Sequence, residues 1–355
     1  MKIAEKLGLE PEIFCRMVLK TKMLLSNVLG HAAELHYEKY LKKKGIKFEK
    51  AGTDEHYDYI VEDFKDQVKR WETASTNIKN IGVNLTQTHG DRSAQDAFYK
   101  LGQFDRLVLF DVGFNKLRII NDDDIPRHKK YPTHLIGKFK WERNEDEKLK
   151  DFELSFLKTL KFKNRDFPDA IESLKKEYNL NYLELLQKCC NLTLKEIDSL
   201  FSVENFRLIT GAKGFAAEEH FNVFLEKRKI PYKQETDMYS KVDHWINGKI
   251  RVQVKIPHNR SVDKNNWAFK THKSHGHGVG ELYKKDMFDI IALFIGFEID
   301  EAKDKYLPIS VKEQFIFIPV EDLEEHPNHP GYLKRVTKIP KDRYKINDTT
   351  ILNKI

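Results

Sequence analysis

Two short stretches carry side chains suited to handling a phosphodiester. "KVDHWINGKIRVQVK" (Lys241–Lys255) sets Asp243 ahead of an Asn-Gly turn, with Gln253 and Lys255 on the strand that follows. "YDYIVEDFKDQVKR" (Tyr57–Arg70) is a shorter form, with Asp58, Gln67 and Lys69. Side chains alternate faces along a strand, so Gln67 and Lys69 share a face. With Glu62-Asp63 as a two-residue turn, Asp58 lies opposite Gln67 and the three groups meet. In the second stretch the Asp-to-Gln spacing is one residue longer. A two-residue turn at Asn247-Gly248 would put Gln253 on the wrong face, so a three-residue turn or a bulge is expected there.

An Asp, an amide oxygen two residues before a Lys, and a Glu from a packed helix suit Mg²⁺-assisted cleavage. Mg²⁺ prefers hard oxygen ligands and keeps waters. Asp58 and Gln67 would hold the ion, with Glu34 of "GHAAE" bound directly or through water. The ion would acidify the attacking water. Lys69 would orient that water and offset developing charge. In the second stretch the same roles fall to Asp243, Gln253, Glu218 and Lys255, with Glu219 as the weaker stand-in for Glu218.

The elements that must position these residues are themselves repeated. "GHAAELHYEKYLKKKGIKFEKA" from Gly30 matches "GFAAEEHFNVFLEKRKIPYKQE" from Gly214, an offset of 184 residues. "FDRLVLFDVGF" (Phe104–Phe114) matches "FDIIALFIGF" (Phe288–Phe297), and "DIPRHKKYPTHL" resembles "DLEEHPNHPGYL" (Asp322–Leu333). Similarities in one order argue for a duplicated module, with a period far too long for a solenoid. We expect modules at 1–150 and 206–355 and a helical connector at 151–205, packed rather than tethered, since no Gly/Ser linker is present. In the first module Gly30–Lys44 reads as a helix stopped by Gly45. Ile46–Lys50, Tyr57–Val61 and Phe64–Trp71 read as strands, Ser93–Leu101 as a helix, and Asp105–Val112 and Lys116–Ile120 as strands. The second module is expected to follow the same order.

On these residues the chain resembles the PD-(D/E)XK nuclease superfamily, which includes most type II restriction endonucleases. "YDYIV…DQVKR" and "VDHWI…VQVKI" resemble its Gln-x-Lys variant, as in Mrr-like nucleases; Tyr57 and Val242 stand where the motif has Pro. The resemblance implies an α/β fold of the α+β, mixed-sheet kind: two tandem restriction-endonuclease-like αβββαβ cores with added helices, related by a pseudo-twofold. It implies a Mg²⁺-dependent endonuclease for double-stranded DNA, acting as a single-chain pseudo-dimer or a homodimer, with a cognate DNA methyltransferase. A structure-specific repair or recombination nuclease, and a non-catalytic DNA-binding protein on vestigial cores, are the competing expectations.

Candidate DNA contacts are Arg70, His89, Arg92, Arg260, Lys264, Asn265, Asn266, Lys270 and His272, side chains suited to phosphates and base edges. The His272, His275 and His277 cluster reads as a Gly-rich polar loop, because no cysteines accompany it. Lys2–Val18 and Asn181–Phe201 have helix-turn-helix length but read as packing. Sixty-two Lys and Arg against 55 Asp and Glu leave a charge of +7, compatible with a polyanionic partner. Three cysteines without zinc spacing, no apolar leader and no run long enough to span a bilayer point to a cytoplasmic protein with no membrane partner.

Overall fold

Residues Ile290–Phe294 are apolar at every position, without the alternation of a strand that keeps one face wet. In the computed structural model of the protein each of them is buried. The structure describes residues 1–52, 55–70, 72–73, 80–85, 98–142, 149–235, 240–257, 265–274, 280–300 and 306–353.

Two similar five-stranded mixed sheets make up an α+β fold. The first holds β1 (Phe48–Lys50), β2 (Tyr59–Val61), β3 (Phe64–Arg70), β4 (Arg106–Phe110) and β5 (Leu117–Asn121), hydrogen-bonded in that order. The second holds β6 (Tyr232–Gln234), β7 (His244–Ile246), β8 (Ile250–Lys255), β9 (Ile290–Phe294) and β10 (Phe315–Pro319), again in chain order. β3 runs parallel to β4, and β8 to β9; the other neighbours are antiparallel.

A long helix precedes each sheet: α1 (Lys22–Lys44) and α2 (Phe206–Lys227). Gly45, at φ 69°, ends α1 in the left-handed conformation that only glycine adopts without strain. On one face of the second sheet, Ala217, Phe221, Phe224 and Leu225 of α2 cover Val252, Val254, Ala292 and Phe317. On the other, Phe269, Tyr283, Leu333 and Ile339 cover Ile291, Leu293 and Ile318. β9 is therefore covered on both faces, and each of its Ile, Leu and Phe side chains contributes roughly 1.5–3 kcal/mol of burial.

The hairpin registers follow the spacing of the acids. Val61 pairs with Phe64 and Tyr59 with Asp66 across the Glu62-Asp63 turn. In the second hairpin Ile246 pairs with Ile250 and His244 with Val252, so the loop has three residues, Asn247 to Lys249. Asn247 and Gly248 sit at φ 51° and 68°, and the Lys249 N–H closes the loop on the Ile246 carbonyl at 3.0 Å. The extra residue is absorbed in the turn, which keeps Asp243 in line with Gln253 as the spacing requires.

Two expected helices are corrected. Ser93–Leu101 was expected to be helical. Phe98–Lys100 are instead extended: Lys100 bridges His134 and the Leu135 N–H donates to the Tyr99 carbonyl at 2.8 Å, while 93–97 lie outside the described residues. In the second module the crossover from β8 to β9 carries the strands Asn266–Lys270 and His272–Ser274, and Gly280–Leu282 is a strand at the place equivalent to the expected helix. The hydrogen-bond partner of Asn266–Lys270 is Val336–Pro340, a pairing far away in sequence that local periodicity cannot show.

By its contacts the chain divides into two compact units: one comprises Met1–Val18 with Phe201–His275 and Gly280–Ile355, and the other is Leu19–Leu200. The short helices ahead of α1 thus belong with α2, and those ahead of α2 belong with α1. The two helical hairpins are alike. Gly8 (φ 68°) and Asn191 (φ 52°) turn each one. The carbonyl just before the turn accepts an imidazole N–H from the core helix: Leu7 from His220 at 2.8 Å, and Cys190 from His36 at 2.9 Å. Both segments with helix-turn-helix length therefore pack on a core helix.

Polar chemistry fixes the connector helices. Asn181 and Glu184 form a capping box, and Thr193 and Glu196 another. Glu172 lies 2.6 Å from Lys20 and accepts from the Tyr182 hydroxyl. Burial alone would raise its pKa, but Lys20, Tyr182 and Lys175 outweigh it and bring the carboxyl to about 2. Folding then favours the ionised form, so this stabilisation is complete above the ordinary Glu pKa and is lost as pH falls through the folded one. Between about pH 5 and pH 2 it should remove on the order of 1–2 kcal/mol, after allowance for solvent screening. Glu172→Gln is expected to flatten the melting temperature against pH over that range; an unchanged slope would refute this.

Candidate active sites

Asp58 and Asp243 stand just before β2 and β7, held by the main chain of the next strand. The Asp58 N–H donates to the Asp66 carbonyl at 2.9 Å, and the Asp243 N–H to the Val252 carbonyl at 2.8 Å. One oxygen of each carboxylate then accepts two hydrogen bonds. Asp58 Oδ2 takes the Val68 N–H at 2.7 Å and the Gln67 side-chain amide at 2.5 Å. Asp243 Oδ2 takes the Val254 N–H at 2.8 Å and the Gln253 side-chain amide. The two constellations are built the same way. Each acid orients its glutamine, because an ionised carboxylate only accepts and so must meet the amide nitrogen.

Gln67 and Gln253 are buried, while Glu34, Asp58, Lys69, Glu218, Asp243 and Lys255 are half-buried. Glu34 is paired with His31 at 3.3 Å on α1. Burial pushes the Glu34 pKa up, but the His31 hydrogen bond and the charges of His31, Lys50 and Lys69 outweigh it and hold it down. Asp58 goes the other way: burial, and then the Glu34 charge, raise it to about 7 against the pull of Lys69. Glu34 and Asp58 therefore lie close enough for their charges to act on each other. In the second set, burial lowers the Lys255 pKa against the attraction of Asp243 and Glu218. Glu218 thus shares the electrostatic field of Asp243 and Lys255. Lys69 instead ends raised: burial pulls it down, but Tyr99, Asp58 and Glu34 together exceed that effect.

The donor set fits a hard cation. Each site offers two carboxylates and a glutamine oxygen, and Gln253 Oε1 is buried with no hydrogen-bond partner among the described residues. Among the described residues, no group of three or more His, Cys, Asp or Glu side chains forms a metal site. A third protein ligand would therefore have to be the amide oxygen, with water and substrate completing the shell.

Sequence reasoning missed Tyr99 and Tyr283, one repeat offset apart. The Lys69 ammonium lies 5.9 Å from the Tyr99 ring centre and the Lys255 ammonium 5.2 Å from that of Tyr283. The sequence signal was the pair "YK…FD" at 99–105 and 283–289, which extends the repeat upstream of β4 and β9. Asp105 and Asp289 were also passed over. Each accepts a strand N–H at 2.7 Å, from Lys65 and from Arg251, and fixes the parallel pairing.

The DNA contacts expected from sequence are not gathered in this way. Arg70 lies on the opposite face of β3 from Lys69, where its charge acts on Cys189. Asn265 and Lys270 are exposed and Asn266 half-buried, all beside or on the strand Asn266–Lys270. His272 opens the next strand. His89, Arg92, Arg260 and Lys264 lie outside the described residues, as do His275 and His277. Cys15, Cys189 and Cys190 are buried free thiols. Among the described residues no helix is long and apolar enough to cross a membrane.

No family model matches the chain, and no curated protein matches it. Among solved structures, the chain shows a likeness to a bacterial homing endonuclease, I-Ssp6803I. The identity is 17% and the TM-score 0.26, over 35% of this chain and 83% of that one.

Proposed function

We propose that the chain is a Mg²⁺-dependent endonuclease for double-stranded DNA, most specifically a type II restriction endonuclease with one active site for each strand. The observation that carries this reading is the repeated site: Asp, Gln and Lys on one face of a hairpin, beside a helix Glu, at equivalent places in two like sheets. A solvated hairpin face has no reason to keep that geometry twice, least of all when one hairpin needs a longer turn to do so. The helix-first sheet with its parallel strand pair is also what the resemblance to PD-(D/E)XK nucleases implies.

Asp58, Glu34 and Gln67 would hold one ion, and Asp243, Glu218 and Gln253 the other. Bound Mg²⁺ would supply an acidified water and charge neutralisation at the phosphate. The chain's own groups do the rest. The Val68 and Val254 N–H groups, with the glutamine amides, keep each aspartate turned toward the site. Lys69 and Lys255, each on the strand beside its acid, would donate to the phosphate and align the attacking water. Two modules in one chain allow a monomer to cut both strands; a homodimer of the chain is the other assembly this reading permits. A DNA methyltransferase protecting the same sequence would be its partner, in the cytoplasm.

Incubating the purified protein with long duplex DNA and Mg²⁺ tests this directly. Discrete fragments that disappear when EDTA is added are expected. Smearing, or cleavage confined to branched DNA, would point to a structure-specific nuclease instead. Binding without cleavage would overturn the catalytic reading.

A further inference from the structure

The two tyrosines beside the lysines do different things. Both rings are firmly set: Tyr99 is 5% exposed and Tyr283 is 0%. Tyr99 packs edge-on against Phe104 at 5.3 Å, and Tyr283 against Phe288 at 5.5 Å. Their main chains are fixed alike, since the Leu135 N–H donates to the Tyr99 carbonyl and the Leu333 N–H to that of Tyr283, both at 2.8 Å. The scaffold is the same, so the hydroxyls can be compared.

In the first module the Tyr99 hydroxyl donates to Gln67 Oε1 at 3.2 Å, and the Lys69 ammonium stands over the same ring, 5.9 Å from its centre, and feels its charge. A phenol has one proton, and here it goes to the amide oxygen. In the second module the Tyr283 hydroxyl accepts from Lys255 at 3.3 Å, and Gln253 Oε1 is left buried without a partner among the described residues. A buried carbonyl with no donor is costly, and a cation or its bound water is the kind of group that removes the cost.

We propose that Tyr99 and Tyr283 are positioning residues that make the two sites unequal: each ring lies against its lysine, but only Tyr99 caps the glutamine oxygen. The second module is then the readier site for a hard divalent cation. In the first the Tyr99 hydroxyl already occupies one lone pair of the Gln67 oxygen and weakens it as a ligand. This inference rests on the metal-dependent reading above and concerns which site loads first.

The test is Mn²⁺ binding to the full-length, DNA-free protein, followed by the EPR signal of the free ion. Two classes of site are expected in the unaltered protein. Gln253→Met should remove the tighter class, and Gln67→Met the weaker. Tyr99→Phe, which deletes one hydrogen bond without changing ring shape, should tighten the weaker class by about fivefold. Tyr283→Phe should leave both affinities in place while slowing Mg²⁺-dependent nicking by its module. Two equal classes, the reverse assignment by the glutamine variants, or a weaker class indifferent to Tyr99→Phe would each overturn the inference while leaving Mg²⁺-dependent cleavage intact. If Tyr99→Phe fails to fold, the glutamine variants alone decide the asymmetry. No Mn²⁺ binding together with no cleavage would remove the inference and the nuclease reading at once.

Discussion

Lys69→Ala or Lys255→Ala, made singly, is expected to turn a double-strand cutter into a nicking enzyme. Each lysine belongs to one site: Lys69 feels Asp58 and Glu34, and Lys255 feels Asp243 and Glu218. Removing a preorganised cationic donor from a developing oxyanion costs about 10²–10³ in rate, or roughly 3–4 kcal/mol of barrier. The untouched module should keep its rate. On supercoiled plasmid, each single variant should build up open circles with little linear product, and the double variant should do neither. Each lysine is half-buried, and its loss leaves the Asp-Gln hydrogen bonds in place, so the fold should survive and the melting temperature should barely move. If both single variants linearise plasmid at the unaltered rate, the two-site reading fails.

Much of this site was legible because the repeat supplied two independent copies. The spacing from Asp243 to Gln253 alone demands an odd-numbered loop or a bulge, since side-chain alternation allows no other way to align them. The continuous apolar run at Ile290–Phe294 marked a strand covered on both faces. Other features were hidden for physical reasons. Periodicity around "SAQDAFYKL" suits a helix, yet Phe98–Lys100 are extended because their partners come from residues 133–135, a contact with no local trace. Tyr99 and Tyr283 were passed over because a tyrosine near a strand reads as core until its hydroxyl is found beside a lysine.

The helical hairpins teach the same lesson at a larger scale. Nothing in Lys2–Val18 says which core helix its Leu7 carbonyl will meet. The donor is His220 rather than His36, and each histidine is also stacked, on Phe294 at 5.0 Å and on Phe114 at 4.7 Å. Burial lowers the pKa of both histidines and outweighs the backbone bonds that would raise it. The repeat could have exposed the exchange only if the hairpins had been aligned with each other. The two hairpin sequences are unlike, while the left-handed turn residues Gly8 and Asn191 and the accepting carbonyls stand at equivalent places.

The largest stability effect is expected at a place where the two modules differ completely. In the first sheet Asp66 is fully buried. It takes a two-pronged bond from the Arg106 guanidinium, at 2.7 and 2.8 Å, and a third from the Tyr37 hydroxyl at 2.5 Å. The same three places in the second module are Val252, Ile290 and Phe221, all within one apolar cluster. Asp66→Val alone leaves the buried Tyr37 hydroxyl and the partly exposed Arg106 guanidinium without their shared partner and should cost about 3 kcal/mol. For a unit of this size that corresponds to a fall of roughly 10 °C in melting temperature. The triple change Tyr37→Phe, Asp66→Val and Arg106→Ile copies the other module, leaves no polar group unpaired, and should recover most of the loss. Calorimetry on the three proteins decides between two accounts. Recovery means that the triad is one of two equivalent ways to fill the space between helix and sheet, and that a buried ion pair adds little net stability over an apolar fill. A triple variant as unstable as Asp66→Val would mean that Asp66 does more. It would then be needed to hold β3 in the position where its carbonyl orients Asp58, and DNA cleavage by that module should fall with it.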